Sequence, residues 1–330
     1  MELRVNLKEN SYSIILGNNL IKNIDKYYSL NSKVLVITDN NIPSLYSDLI
    51  TNKCKKGYQY IIKEGEESKN INNYLEINKF LLDNNFSRQD LIIAVGGGVV
   101  GDLSAFIAST YKRGINFINV PTSTLAMIDS SVGGKTAINF EGVKNVLGSF
   151  YQPKLVVIDF DVLKTLNERH FNNGLVEALK MGFIKDKSII DLFSDYKKNI
   201  KDIIIKSLKA KIEIVEMDEK ENNIRKILNF GHTLGHAFEM SSNLLHGEAV
   251  GLGMYYVLDK DLKDKMKDIL NLLKINVNYE INKDKVLNLV MNDKKVINNT
   301  LDLITVEELG KAKITNVEIS KIETILKEGA

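Results

Sequence analysis

The 330-residue chain has one cysteine, three prolines and four histidines. Cys54 alone excludes an intramolecular disulfide framework and any zinc or iron–sulfur site built from several thiolates, so a reducing, intracellular setting is expected. Basic surplus is also lacking: 44 Lys and Arg against 42 Asp and Glu leave a formal charge of +2. That is too little to neutralise many phosphates, and nucleic acid is not an expected partner. No apolar run approaches the ~20 residues of a membrane span. The stretch MELRVNLKENSYSIILG is charged and alternating, without the apolar core of a signal peptide. The expectation is a cytoplasmic protein with no membrane partner. The remaining composition, 44% apolar and 26% charged, is ordinary for a globular protein. Its length exceeds one ordinary core, so two domains are expected.

Up to Asp161, short β-branched runs alternate with helical patterns: KVLVITD (33–39), YQYIIK (58–63), DLIIAVGGG (90–98), NFINVPTS (116–123) and KLVVIDFD (154–161). Strands alternating with helices imply a parallel, doubly wound α/β domain over 1–161. Pro43, Pro121 and Pro153 all precede Asn167, and later stretches such as DKDLKDKMKDILNLLK repeat apolar residues at helical spacing. An all-helical domain is expected over 162–330.

Two glycine turns bear on ligands. AVGGGVVGDLSAF places Gly96, Gly98 and Gly101 in G-x-G-x-x-G spacing after a strand and at the opening of a helix. There the backbone can approach a pyrophosphate, and the helix N-terminus favours the anion. The spacing alone is weak, since a turn that only closes a strand–helix corner has it too. The acid expected ~20 residues downstream is missing from NFINVPTST, but Asp39 ends an earlier strand and could meet the ribose. SSVGGKT (130–136) looks like the end of a P-loop, yet the first glycine of that motif would fall at Asp129. An NTPase reading loses most of its weight. Lys135 remains a candidate phosphate contact, against the plainer reading of a solvated lysine on a tight turn.

Three of the four histidines crowd into LNFGHTLGHAFEMSSNLLHGEAVGLGM (228–254). At ~100° per residue a helix would set Arg225, Asn229, His232 and His236 in one narrow arc, able to point into one site. Gly231 and Gly235 fall on another side, where a neighbouring element can come close. So polar a face within ILNFGHTLGHAFEM is costly to bury without a task. His246 would come from the start of the following helix. Two imidazoles from successive helices, plus a carboxylate, leave an open position on a metal, as catalytic sites do. Glu177 in GLVEALKMG is the best carboxylate donor and shares a helix face with Lys180, although a surface ion pair would have the same spacing.

EGEESK, GGGVVGDL, YKRG, PTSTLAMIDSSVGGKTAIN, KNVLGSFYQP, GLVEALKMG, LNFGHTLGHAFE and HGEAVGLGM follow one another in this chain. In that order, and over nearly the whole length, the chain resembles the sugar phosphate cyclase family, and within it the 3-dehydroquinate synthases. The resemblance implies a Rossmann-like NAD-binding domain over 1–161 and a helical, metal- and substrate-binding domain over 162–330. It also implies one divalent metal, zinc or cobalt, held by Glu177, His232 and His246. Catalytic roles carry over to His236, Lys135, Asn145, Lys180 and Asp129, and substrate contacts to Arg113, Lys211, Arg225, Asn229 and Lys294. NAD contacts carry over to Asp39, Asn41, Glu66, Lys69, Gly97, Gly98, Asp102, Thr122, Ser123 and Thr165, with Lys144 beside the nucleotide. The implied reaction closes 3-deoxy-D-arabino-heptulosonate 7-phosphate to 3-dehydroquinate and phosphate, a shikimate-pathway step in which NAD is regenerated each turnover. Arg113 resembles a residue that the family's dimers lend to the neighbouring subunit's phosphate site, so a homodimer is implied.

Departures from the family pattern are mild: Glu64 stands before Gly65 where proline or aspartate is common, and Met127 replaces a usual glutamine. NDKKVINNT keeps paired lysines without the glycine that usually follows, which leaves Lys294 and Lys295 both open. Two further readings share some of these features. A metal- and NAD-dependent polyol or glycerol-phosphate dehydrogenase would release NADH stoichiometrically. A non-enzymatic NAD-binding regulator would have no use for a complete ligand set.

Overall fold

The β-branched runs of the first half become strands, and the helical patterns between them become crossovers. In chain order the strands are β1 (Glu2–Val5), β2 (Tyr12–Gly17), β3 (Lys33–Asp39), β4 (Lys56–Ile62), β5 (Leu91–Gly96), β6 (Asn116–Pro121), β7 (Lys135–Phe140), β8 (Val143–Phe150) and β9 (Leu155–Asp159). The connecting helices include α1 (Ser44–Thr51), α2 (Ile71–Asp83) and α3 (Gly98–Thr110). This computed structural model describes residues 1–291 and 299–328. Seven strands form one sheet in the order β1-β2-β9-β6-β5-β3-β4, parallel throughout except for the β1–β2 pair.

Central parallel strands are covered on both faces, which is why β5 reads LIIAVG without alternation and is buried at every position. The chain leaves β3 for β4 at the sheet edge, then crosses back over β3 to β5 and continues to β6. Strand order therefore reverses between β3 and β5. In doubly wound sheets ligands bind at the carboxyl ends of the strands at such a switch point. Beneath it lie Leu35, Ile37, Ile92, Leu103, Ile107 and Phe117, each 2% exposed or less. Every such side chain contributes about 1.5–3 kcal/mol by leaving water. β7 and β8 pair antiparallel as a separate two-stranded sheet, Lys135 opposite Phe150.

The chain divides into compact units Met1–Asn167 and Glu168–Ala330. The division lies beyond the boundary at Asp161 expected from sequence. The Asp161 carboxylate accepts hydrogen bonds from Asn18 Nδ2 and the Asn19 backbone N–H at 3.0 and 2.9 Å, which ties the 3₁₀ turn Phe160–Thr165 to the first unit.

The second unit contains α4 (Glu168–Ile184), α5 (Ser188–Leu192), α6 (Ile200–Met217), α7 (His232–Ser241), α8 (His246–Val257), α9 (Lys260–Leu272), α10 (Lys283–Met291) and α11 (Ile319–Glu328). It is helical, but the all-helical expectation needs correcting. β10 (Thr300–Glu308) and β11 (Lys311–Glu318) pair antiparallel, turning at Gly310 (φ 84°). Leu301 and Leu303 alternate inward from β10 onto the core formed with Leu234, Phe238, Leu252 and Ile322.

A second correction concerns the helix drawn through Arg225 and His236. Residues Ile224–Asn229 form a 3₁₀ turn, and Gly231 adopts a left-handed conformation (φ 77°) before α7 begins. Arg225 and Asn229 therefore do not share one α-helical arc with His232 and His236. The break follows from packing. A Cβ on Gly231 would lie 2.8 Å from both the Val250 carbonyl oxygen and the Met254 nitrogen, and a Cβ on Gly235 would lie 2.9 Å from Val250 Cα. The close approach expected at Gly231 and Gly235 is present, and α8 is what approaches. Among the described residues no helix is long and apolar enough to cross a membrane.

Candidate active site

α4 buries Glu177 and Lys180 at 0% and 1% exposure, one turn apart, with Lys180 Nζ against Glu177 Oε2. This depth rules out a surface pair. Glu177 Oε1 faces His232 Nε2 at 3.7 Å and His246 Nε2 at 3.6 Å. The two histidines open α7 and α8, and glycine packing between these helices leaves their rings 5.4 Å apart. His236 sits one turn further along α7, its ring 5.3 Å from His232 and 5.9 Å from His246.

Each ligand-side imidazole has its other nitrogen engaged. His232 Nδ1 lies 3.0 Å from the Phe230 carbonyl oxygen, and His246 Nδ1 lies 3.2 Å from Glu239 Oε2. Both Nε2 atoms are thus left for a shared partner. One donor atom from each of Glu177, His232 and His246 lies within 4.8 Å of the others. Tetrahedral ligands ~2.0–2.1 Å from zinc stand about 3.4 Å apart, so the observed 3.6 and 3.7 Å separations suit such an ion. His236 is not in this group.

Charge at the cluster is divided. Burial, then the positive charge of Lys180 and the other two histidines, holds His232 well below the ordinary imidazole value. For His246 burial also acts downward, but the carboxylates of Glu177 and Glu239 outweigh it and raise the ring to about 9. A divalent cation would take the place of that proton.

Sequence reasoning missed two supports of this cluster. Glu239 stands seven residues after His232 on α7, a spacing that repeats on one helix face and was a readable signal. Glu248 fixes the start of α8: its Oε2 accepts from the Leu245 N–H at 2.9 Å, and Arg169 grips its carboxylate with two bonds of 2.7 Å. Two acceptors on one planar guanidinium make this the firmest clamp on the helix that carries His246.

The other predicted residues of this unit are basic or amide groups. Lys211 on α6 and Arg225 on the 3₁₀ turn are buried, at 4% and 2% exposure. Arg225 Nη1 donates to the Glu219 carbonyl, and its backbone N–H donates to Asp218 Oδ2 at 3.1 Å. Asn229 Nδ2 donates to Glu221 Oε1 at 2.8 Å. Lys294 lies outside the described residues.

In the first unit the predicted nucleotide contacts gather at the carboxyl edge of the parallel sheet. Asp39 ends β3 and accepts from the N–H groups of Asn41 and Ile42 at 2.9 and 3.2 Å. Burial raises its pKa against those bonds. Gly97 and Gly98 follow β5, and the Thr122 N–H donates to the Gly96 carbonyl at 3.0 Å. The glycines divide by task. A Cβ on Gly96 would meet Val100 at 2.6 Å, whereas on Gly97 or Gly98 it would find only the hydroxyls of Ser123 and Ser130, at 3.6 and 3.4 Å. Folding demands the first; the other two keep open the ground on which a pyrophosphate would rest.

Glu66 and Lys69, beyond β4, join the same edge, since Lys69 Nζ pairs with Glu66 at 3.3 Å and with Asp102 at 3.1 Å. Burial raises the Asp102 carboxyl despite Lys69, with Glu66 and Asp129 adding to the rise. Thr165 bonds to the Tyr46 hydroxyl at 3.0 Å. Asp129 lies in a π-helical turn, Ala126–Ser130, a form that often marks functional positions. Lys135 opens β7, while Lys144 and Asn145 sit exposed on β8, where the Asn145 N–H donates to Asn139 Oδ1 at 2.9 Å. Asn139 in turn donates to Glu66 at 2.8 Å. Arg113 is not brought to this edge, because it follows α3 at the end opposite Gly98.

Comparison with known proteins bears directly on this arrangement. The family model described as 3-dehydroquinate synthase N-terminal matches residues 59–173, and that described as 3-dehydroquinate synthase C-terminal matches residues 174–296. The chain belongs to the 3-dehydroquinate synthase family. A curated 3-dehydroquinate synthase of Clostridium botulinum (strain Alaska E43 / Type E3) is 44% identical over 97% of this chain and 99% of its own length. One from Streptococcus thermophilus is 36% identical over 99% of this chain and 100% of its own length. Among solved structures, a 2-epi-5-epi-valiolone synthase from Streptomyces hygroscopicus subsp. jinggangensis 5008, with NAD+ and Zn2+ bound, is 26% identical. It has a TM-score of 0.88 and covers 98% of this chain and 97% of that one. A 2-deoxy-scyllo-inosose synthase complexed with carbaglucose-6-phosphate, NAD+ and Co2+ shares the fold at TM-score 0.91 and 23% identity, covering 100% of both chains. A probable glycerol dehydrogenase from Sinorhizobium meliloti shares it more distantly, at TM-score 0.63 and 14% identity. The architecture is therefore common to cyclases and dehydrogenases, while the 3-dehydroquinate synthase family models match this chain in both of its units.

Proposed function

We propose that this chain converts 3-deoxy-D-arabino-heptulosonate 7-phosphate to 3-dehydroquinate and phosphate, with catalytic NAD and one divalent metal, zinc or cobalt. The observation that carries the reading is the convergence of buried Glu177 and His232 with half-buried His246, with Lys180 against the carboxylate, in a member of this family. The first unit is assigned NAD through Asp39, Asn41, Glu66, Lys69, Gly97, Gly98, Asp102, Thr122, Ser123, Lys144 and Thr165. The second is assigned the metal and the sugar chain of the substrate.

Glu177, His232 and His246 would hold the metal, which would supply polarisation of a substrate hydroxyl, and the nucleotide contacts of the first unit would hold NAD, which would supply reversible hydride acceptance at the same carbon. The chain's own groups do the rest. Lys180 holds positive charge beside Glu177 Oε2 and so turns the other oxygen toward the histidine pair. His236, next to the ligands but outside their group, moves protons at substrate hydroxyls. Lys135 and Asn145 hold the phosphate dianion, and the departing phosphate takes the neighbouring carbon's proton. Asp129 completes the catalytic set, and Asn229 meets a substrate hydroxyl. Lys211, Arg225 and Lys294 neutralise the substrate carboxylate, whose burial without cationic partners would be prohibitive. Arg225 can hold both carboxylate oxygens with its planar fork.

The working form is assigned as a cytoplasmic homodimer. Arg113 is separated from Gly98 by the whole of α3, whose 13 residues span ~20 Å. An arginine so placed can serve a phosphate site in a second subunit. Mixing Arg113→Ala chains with Lys180→Ala chains under subunit exchange should restore part of the activity; no recovery would remove the shared-site assignment. The substrate assignment is tested by offering sedoheptulose 7-phosphate, which lacks the carboxylate, beside the heptulosonate phosphate. Strong preference for the acid supports it, and comparable turnover would place the chain elsewhere among the cyclases.

A further inference from the structure

α7 carries His232, His236 and Glu239 at i, i+4 and i+7, one stripe of the helix. Glu239 lies beneath the surface with its side chain 18% exposed, and its Oε2 stands 3.2 Å from His246 Nδ1. The opposite nitrogen of the same ring, Nε2, faces Glu177 Oε1 at 3.6 Å. His246 is therefore held along its Nδ1–Nε2 axis between two carboxylates from different helices. We infer that Glu239 is a positioning residue for the metal, fixing His246 with the proton on Nδ1 and the Nε2 lone pair free for a divalent ion. The inference rests on the reading that Glu177, His232 and His246 hold that ion.

A neutral imidazole has two tautomers, and only the one protonated on Nδ1 offers Nε2 as a ligand. A carboxylate at Nδ1 can accept but not donate, so it selects this tautomer, fixes the ring plane and makes Nε2 a stronger donor. At His232 the same task falls to the Phe230 carbonyl oxygen, 3.0 Å from Nδ1, which no side-chain substitution removes. At His246 a side chain performs it. Its contact with an imidazole sets Glu239 apart from Glu248, which instead secures the backbone of α8 by accepting from the Leu245 N–H.

The test is zinc affinity, measured on the full-length apo-protein by competition with a chromophoric chelator, alongside the visible absorption of the Co2+-loaded protein. Glu239→Gln offers an amide that can donate to Nδ1 as readily as accept, and should weaken zinc about 10-fold. Glu239→Ala should approach 100-fold, the upper end for loss of such a partner. Both should change the Co2+ spectrum while the chain remains folded in chelator. If both variants bind zinc as tightly as the unsubstituted chain and give its Co2+ spectrum, while His246→Ala loses zinc, the inference falls and the metal site stands. If His246→Ala also keeps zinc, the metal reading falls and takes the inference with it.

Discussion

Gly253→Ala should weaken metal binding without touching a ligand. A Cβ at Gly253 on α8 would lie 2.1 Å from the Gly231 carbonyl oxygen and 2.8 Å from the Gly235 nitrogen. Both obstacles are backbone, so no side chain can swing aside. Ordinary contact begins near 3.4 Å, and in a close-packed interior α7 and α8 must part by about 1.3 Å to reach it. Zinc ligand distances tolerate only about 0.2 Å, and His232 directly follows the displaced Gly231. Overpacking costs typically ~1–3 kcal/mol, and a backbone obstacle belongs at the upper end. Chelator competition should show zinc affinity reduced at least tenfold, since about 1.4 kcal/mol of strain taken up on binding suffices for that. Gly251→Ala on the same helix is the control. Its Cβ would meet Leu270 Cδ2 at 2.9 Å and Val176 Cγ1 at 3.3 Å, ends of flexible side chains that can yield. It should keep zinc. Unchanged affinity in Gly253→Ala, or equal loss in both variants, would refute the claim that the glycine seam sets the ligand geometry.

Single ligand changes should separate the histidines: His232→Ala and His246→Ala lose stoichiometric zinc, whereas His236→Ala keeps it and loses turnover. Full zinc in His246→Ala would instead favour a His232–His236 chelate. Zinc uptake should release a proton, because His246 in the metal-free protein is raised to about 9. Its share of metal-free stability is full below the unfolded value near 6.5 and is lost as pH rises through about 9. Zinc affinity should accordingly climb with pH up to that point, with about one proton released at pH 7–8 in weak buffer; zinc uptake without acidification would contradict the assignment. Arg225→Lys should raise KM for the heptulosonate phosphate more than Lys211→Arg does, since only the guanidinium can clasp two carboxylate oxygens. Equal effects would point to charge alone.

The parallel sheet was legible because strands buried on both faces advertise themselves as unbroken β-branched runs, and KVLVITD and DLIIAVGGG became β3 and β5. The ligand candidates were legible because histidine is scarce here. What failed depended on contacts between elements. No local period reveals that Gly231 turns left-handed, since the reason is the α8 backbone at Met254 and Val250. An unbroken helix from Arg225 to His236 was the natural but incorrect extrapolation. β10 and β11 were readable in principle, with LDL and KAKIT alternating on either side of Gly310, but helical texture on both sides masked them. The β7–β8 hairpin was harder, because Phe140, Val143, Val146 and Phe150 are all at least 40% exposed and no inward face stands out. Glu239 escaped for another reason. Its spacing from His232 puts it on the ligand face of α7, but its partner, His246, belongs to the next helix, so its task could not be read from α7 alone.

The most direct measurement follows phosphate release from 3-deoxy-D-arabino-heptulosonate 7-phosphate by the purified chain while absorbance at ~340 nm reports reduced nicotinamide. With NAD and zinc present, phosphate should appear over many turnovers with no net NADH, and either a chelator or omission of NAD should stop it. Stoichiometric NADH without phosphate would identify a dehydrogenase instead, and phosphate release indifferent to both NAD and chelator would contradict the account.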